Sequence, residues 1–243
     1  MLYFRSSIFA VIYFCTTVTY GTISVFTWLL PAKARHRIIV SWTHFIVFLV
    51  KVICGVRYQI HGMENILRTK TQPAVVLSKH QSTWETLFLQ GSFWPASTIL
   101  KKELLDIPFF GWGLRALYPI AIDRSDPKNA LRQVKSEGTK RIAEGFNVII
   151  FPEGTRMKLK EKGKYARSGA DIACTAGCDV IPVAMNSGIC WPAEEKFRKY
   201  PGVIQVIVGE PISTEGKNSK QVTAEAEAWI EDQMARLPQE IGE

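Results

Sequence analysis

Residues 6–32 pass without a charged side chain, and within them residues 8–30 read IFAVIYFCTTVTYGTISVFTWLL. At about 1.5 Å per residue such a run covers roughly 30 Å of hydrocarbon, so the pattern predicts a membrane helix. Ala32-Lys33-Ala34 has the shape of a signal cleavage site, but the apolar part of a signal ends at about 15 residues. A second apolar run, residues 38–50 (IIVSWTHFIVFLV), carries His44 and is too short to cross alone. It is expected either to lie among headgroups or to pair with the first run as a helical hairpin.

Beyond residue 70 the periodicity changes. Short apolar runs at 73–78, 97–100, 118–122, 147–151, 179–185 and 203–208 read as buried strands, and helical spacing occupies 83–90, 128–144, 169–176 and 219–237. Strands alternating with helices predict an α/β domain, with functional side chains near the carboxyl ends of strands. No internal repeat or long linker interrupts the pattern. The expected organisation is membrane-anchoring helices over residues 1–56, then one α/β domain over 57–243.

Charge sharpens this division. Of the +8 net charge, residues 1–70 hold eight Lys/Arg against one acid, Glu64, whereas residues 71–243 hold 22 against 21. Lys33, Arg35 and Arg37 follow the first apolar run and only Arg5 precedes it, so the positive-inside rule places the bulk of the chain in the cytoplasm. A juxtamembrane excess suits anionic lipid and argues against nucleic acid as a partner. Five scattered cysteines with no Cys-x-x-Cys pair fit reduced thiols in a cytoplasmic domain and give no zinc pattern.

Two stretches carry candidate chemistry. In VVLSKHQSTWETLFL, residues 75–89, a predicted strand runs into His80, and Ser82-Thr-Trp-Glu85 reads as a capping box for the next helix. Under that structural reading Glu85 needs no chemistry. A separation of five would splay the two side chains on one helix, so a His80–Glu85 contact requires His80 to sit in the turn before it. There a carboxylate holds the imidazole in one tautomer and supports it as a base. In NVIIFPEGTRMK, residues 147–158, a strand ends in a sharp turn offering Gly154, the Thr155 hydroxyl and the Arg156 guanidinium, a set suited to phosphate.

Four blocks, KHQSTWE, LKKELLDIPFFGWGLRALYPIAIDR, FPEGTR and VIPVAMNSG, occur in this order over about residues 70–190. Together they resemble the 1-acyl-glycerol-3-phosphate (lysophosphatidic acid) acyltransferase family. The resemblance implies a mixed sheet covered by helices, the glycerolipid acyltransferase fold, preceded by N-terminal membrane helices. It also implies transfer of an acyl group from acyl-CoA or acyl carrier protein to the free hydroxyl of a lysophospholipid at the cytoplasmic membrane face, without cofactor, metal or covalent enzyme intermediate. The family's catalytic pair falls on His80 and Glu85, and its substrate-binding residues fall on Arg124, Glu153, Gly154, Thr155 and Arg156; Pro182 matches the proline of the fourth block. The family aspartate is a glutamate here, one methylene longer.

Phe109, Phe110 and Trp112 are expected in core packing, with the lining of an acyl groove as the rival role. The basic run from Arg156 through Lys158, Lys160, Lys162 and Lys164 to Arg167 suits headgroups, the phosphates of CoA, an acidic carrier, or plain solvent. Two other classes compete. A serine hydrolase using Ser82 lacks a Gly-x-Ser-x-Gly elbow, and a non-catalytic lipid-binding protein would retain the fold with an inert Glu85. A related acyltransferase for another lysolipid headgroup is the remaining alternative.

Overall fold

The computed structural model describes residues 1–123, 125–195 and 197–241. Two long apolar helices come first, α1 (Leu2–Phe26) and α2 (Ala32–Cys54), separated by a 3-10 turn. The second apolar run is therefore the middle of a 23-residue helix, because the basic stretch before it has the helical propensity to extend it. Arg5 bonds to Ile53, Thr16 to Trp42, and Tyr20 to Ser41, so the helices form an antiparallel hairpin.

The sheet follows. Its strands are β1 (Val56–His61), β2 (Val75–Ser78), β3 (Ala96–Lys101), β4 (Ile120–Ile122), β5 (Asn147–Ile150), β6 (Val180–Met185) and β7 (Gly202–Val208), in the order β1-β7-β6-β2-β5-β3-β4. Every pairing is parallel except β6–β7, so the sheet is mixed, as the resemblance implies. Between the strands lie α3 (Met63–Arg68), α4 (Trp84–Ser92), α5 (Phe110–Ala116), α6 (Pro127–Ala143) and α7 (Ser168–Ala176), and the chain closes with α8 (Ser219–Arg236).

Side chains of a strand alternate between faces, and the core divides accordingly. Val75 and Leu77 pack with Val148, Ile172, Val222 and Ile230 beneath α6, α7 and α8. Val76 packs with Ile149 and Ile181 on the other face, against Phe9, Trp42, Ile46, Val50, Trp84 and Phe88. The hairpin thus shares one core with the sheet, and Val56, at the expected boundary, already belongs to β1.

Close contacts fix the hairpin along its length. A Cβ on Gly21 would lie 2.3 Å from Phe109 O, so only glycine admits this approach of α1 to the segment before α5. The His36 imidazole meets Ala96 O at 2.6 Å and Gln90 Nε2 at 2.8 Å, joining α2 to β3 and α4. The outer faces stay apolar and uncovered: Phe4, Ile8, Val11, Phe14 and Val25 on α1, with Phe45, Phe48 and Val52 on α2, are exposed.

Candidate active site

The central parallel strands β5, β2 and β6 end on the same edge, and each delivers polar residues just beyond its last apolar position. After β2 comes the turn with His80. After β5 comes the Glu153–Arg156 turn, and after β6 comes Ser187. A buried strand end is where backbone groups leave the ladder, so side chains there gather without disturbing the core.

His80 sits in the turn before α4, as a contact with Glu85 requires, and its Nδ1 lies 2.8 Å from Glu85 Oε1. The same oxygen accepts from Gln81 N at 2.6 Å and Ser82 N at 2.7 Å. Oε2 accepts from Ser82 Oγ at 2.8 Å and from Ser187 Oγ. Burial alone would raise the pKa of this fully buried carboxyl, but the bonds from His80, Ser187 and Ser82 prevail and hold it below the usual carboxylate range. An ionised carboxylate only accepts, so His80 Nδ1 donates, and in the neutral ring Nε2 carries the lone pair. Phe151 stacks on the ring with centroids 4.0 Å apart, fixing its plane.

Glu85 also serves the turn before the helix. The expected capping box does not form, because α4 starts one residue later with Thr83 at its N-cap and no side-chain cap there; Glu85 Oε1 instead accepts from Ser82 N in the preceding turn, and Ser82 Oγ accepts from Trp84 N at 2.8 Å. The extra methylene thus leaves His80 within hydrogen-bond reach and lets one carboxylate perform both tasks.

Glu153 points away from solvent. Its side chain is completely buried, with Oε1 2.7 Å from Lys79 Nζ and 3.0 Å from Gly163 N, and Oε2 3.2 Å from His80 N. Lys79 Nζ further meets Glu231 Oε1 of α8 at 3.0 Å and Glu161 O at 3.1 Å, and Tyr165 Oη donates to Glu231 at 2.9 Å. This cluster ties the histidine turn to the 153–163 loop and to α8. Removing one partner of a buried ion pair leaves the other uncompensated, so Lys79→Met is expected to cost about 3 kcal/mol of stability. The thermal midpoint checks this; an unchanged midpoint would show that the cluster contributes nothing.

Gly154 adopts a left-handed φ of 70° with nothing within 4 Å of a notional Cβ, so the turn needs glycine for its backbone angle and not for space. Its amide closes the turn on Phe151 O at 3.0 Å and is not free for an oxyanion. Thr155 and Arg156 are exposed and line a cleft with His80. Arg124 lies outside the described residues.

That cleft encloses about 770 Å³. Its polar lining includes His80, Thr83, Arg156 and Lys101, a lysine that sequence reasoning passed over, and its apolar lining includes Leu100, Leu104, Phe110, Leu117, Leu131 and Val134. Tyr13 and Trp42 of the hairpin form part of its wall. The expected core role of the aromatic trio therefore does not hold. Phe110 lines the cleft, Phe109 abuts α1 and leans on Trp112 with ring centroids at 4.8 Å, and Trp112 is exposed, because two short helical turns leave this segment at the surface. The basic run is partly neutralised: Lys158 pairs with Glu194, Lys160 with Glu240 and Lys162 with Glu227. Among the described residues no three His, Cys, Asp or Glu side chains group as metal ligands.

Ser187 and Lys79 complete the site and were not singled out by sequence. Ser187 lies in the quoted block VIPVAMNSG, two residues past its strand, which was the available signal.

Comparison with known proteins agrees with the geometry. Residues 57–186 match the family model described as Acyltransferase. The chain is 44% identical, over 96% of its length and 91% of the relative's, to a 1-acyl-sn-glycerol-3-phosphate acyltransferase of Pseudomonas aeruginosa. It is 26% identical, over 99% of its length and 79% of the relative's, to the Saccharomyces cerevisiae protein of the same name. The crystal structure of the 1-acyl-sn-glycerophosphate acyltransferase PlsC from Thermotoga maritima superposes with a TM-score of 0.75 at 24% identity, covering 97% of this chain and 94% of that one, and so shares its fold.

Proposed function

The chain belongs to the 1-acylglycerol-3-phosphate acyltransferase family and is an acyltransferase, and from that premise we propose that its acceptor is 1-acylglycerol-3-phosphate and its product phosphatidic acid. The donor is a fatty acyl thioester, acyl-CoA or acyl carrier protein, and the step belongs to phospholipid synthesis. The observation that most supports this is the His80–Glu85 pair opening onto an apolar cleft whose wall also carries Arg156.

The acceptor's phosphate pairs with Arg156, with Lys101 adding positive charge to the same cleft. Its free hydroxyl then faces His80. Nε2 takes the hydroxyl proton as that oxygen attacks the thioester carbonyl, and Glu85 stabilises the imidazolium that forms. The tetrahedral intermediate collapses, the C–S bond breaks, and the proton passes from His80 to the leaving thiolate. Product, thiol and neutral histidine result, with no protein nucleophile. The donor's acyl chain lies along Leu104, Phe110, Leu131 and Val134. Holding both lipids converts an encounter into a positioned reaction. Glu153 serves as a positioning residue through Lys79 and the His80 amide.

The test is to supply purified protein with labelled acyl thioester and a panel of lysolipids. Labelled phosphatidic acid from lysophosphatidic acid supports the proposal. A preference for another headgroup would change the acceptor, free fatty acid from lysolipid alone would mean a hydrolase, and no product would leave a binding role.

The exposed apolar face of the hairpin supports membrane association in the plane of one leaflet, with the α/β domain on the cytoplasmic side. Both ends of the hairpin touch the domain, Ser6 Oγ accepting from Lys199 N at 3.1 Å and Lys33 lying over the Phe146 ring at 5.6 Å, so the helices run along it and do not project from it. Phe14 is exposed, and burying a phenylalanine is worth about 1.5–3 kcal/mol, so Phe14→Ser is expected to weaken vesicle binding about ten-fold. Co-sedimentation with anionic vesicles measures it, and unchanged binding would remove this face from the membrane contact.

A further inference from the structure

A second cavity of about 310 Å³ adjoins the main cleft and shares Tyr13, Thr83, Arg156 and Ala193 with it. Arg156 is the charged residue common to both. The remaining wall is mostly apolar and comes from two places, Phe9 and Ala10 of α1, and Trp191, Pro192 and Phe197 together with the cation Lys199. Phe9 and Trp191 meet edge to face at 5.5 Å, and Tyr13 lies 6.4 Å from the Trp191 ring, so the walls brace one another. Phe197 stands at the rim, 46% exposed.

Acyl transfer between lipids requires two apolar chains to be held at once, the donor's acyl group and the chain the acceptor already carries. The main cleft holds His80 and Arg156 in a lining that is otherwise largely apolar. An anion at Arg156 borders both that cleft and the smaller cavity. The phosphate, the free hydroxyl and the existing ester of the acceptor diverge from three adjacent glycerol carbons. With phosphate on Arg156 and hydroxyl toward His80, the existing chain leaves through the remaining opening, toward the apolar surface of α1.

Resting on the acyl-transfer proposal above, we infer that the cavity between α1 and the residues Trp191, Pro192, Phe197 and Lys199 is the subsite for the acceptor's own 1-acyl chain and its path from the membrane. Length of that chain, and not of the donor's, is sensed there.

Ala10→Trp fills the cavity from the α1 side. It is expected to raise KM for palmitoyl lysophosphatidic acid about ten-fold or more while changing KM for the butyryl analogue, and for the thioester, by less than about two-fold. Equal effects on both acceptors would overturn the inference, and a rise confined to the thioester KM would give the cavity to the donor. If the thermal midpoint shows that Ala10→Trp does not fold, Phe197→Ala at the exposed rim decides, with an expected rise of about three-fold for the palmitoyl acceptor; no rise overturns the inference. Wild-type protein that makes no phosphatidic acid from either acceptor would defeat the acyl-transfer proposal itself, an outcome distinct from normal turnover with unselective variants.

Discussion

Replacing His80 with alanine is expected to lower turnover about 1,000-fold, since a positioned general base contributes about 10²–10⁴. Among the described residues nothing else within reach substitutes for it. The two serines nearest the pair donate to Glu85, and Glu153 is buried against Lys79. Folding should survive, because the backbone amide of His80, not its ring, makes the bond to Glu153, and Met157 N bonds to its carbonyl at 2.7 Å. Substrate KM values should move little. The measurement is steady-state kinetics beside a thermal midpoint, and a folded variant with near-normal rate would remove His80 from the mechanism.

Glu85→Gln is expected to lower turnover by a similar factor, for an electrostatic reason. The amide retains an oxygen for the donors Gln81 N and Ser82 N, and its NH₂ faces the Ser82 and Ser187 hydroxyls, which can rotate to accept. The nest therefore survives in outline, at a cost of about 1–3 kcal/mol for imperfect pairing of buried groups. The charge that stabilises the imidazolium is gone, which weakens the base as its proton arrives. Ser187→Ala separates the two contributions, since it removes one donor and keeps the charge. A Glu85→Gln enzyme that loses stability but turns over normally would make the carboxylate purely structural.

The central strands were legible because they are buried on both faces. β2, β5 and β6 read as unbroken apolar runs, the signature of parallel strands beneath two helical layers. β1, VRYQIH, was not legible: it is an edge strand exposed over most of its length, so neither an apolar run nor a clean alternation marks it. α3 and α5 span six and seven residues, and α5 holds two glycines, too little helical signal to stand out. The hairpin was legible as two apolar runs, but its union with the sheet core depends on which faces meet.

The site divides the same way. His80 and Glu85 are five residues apart across one turn, so local geometry announced their contact. Ser187 reaches the same carboxylate from 102 residues away, and Lys79 meets Glu231 across 152, contacts that exist only once β6 and α8 have packed. The basic run shows the opposite error: lysines that look free in sequence find acids on α8 and elsewhere after folding.

Direct transfer without an acyl-enzyme is tested by rapid quenching of one turnover with thioester labelled in its acyl group. With lysophosphatidic acid present, the His80–Glu85 geometry predicts all transferred label in phosphatidic acid and none on denatured protein, and without acceptor it predicts intact thioester. Label bound to the protein, formed as fast as turnover and chased into phosphatidic acid on adding acceptor, would contradict it.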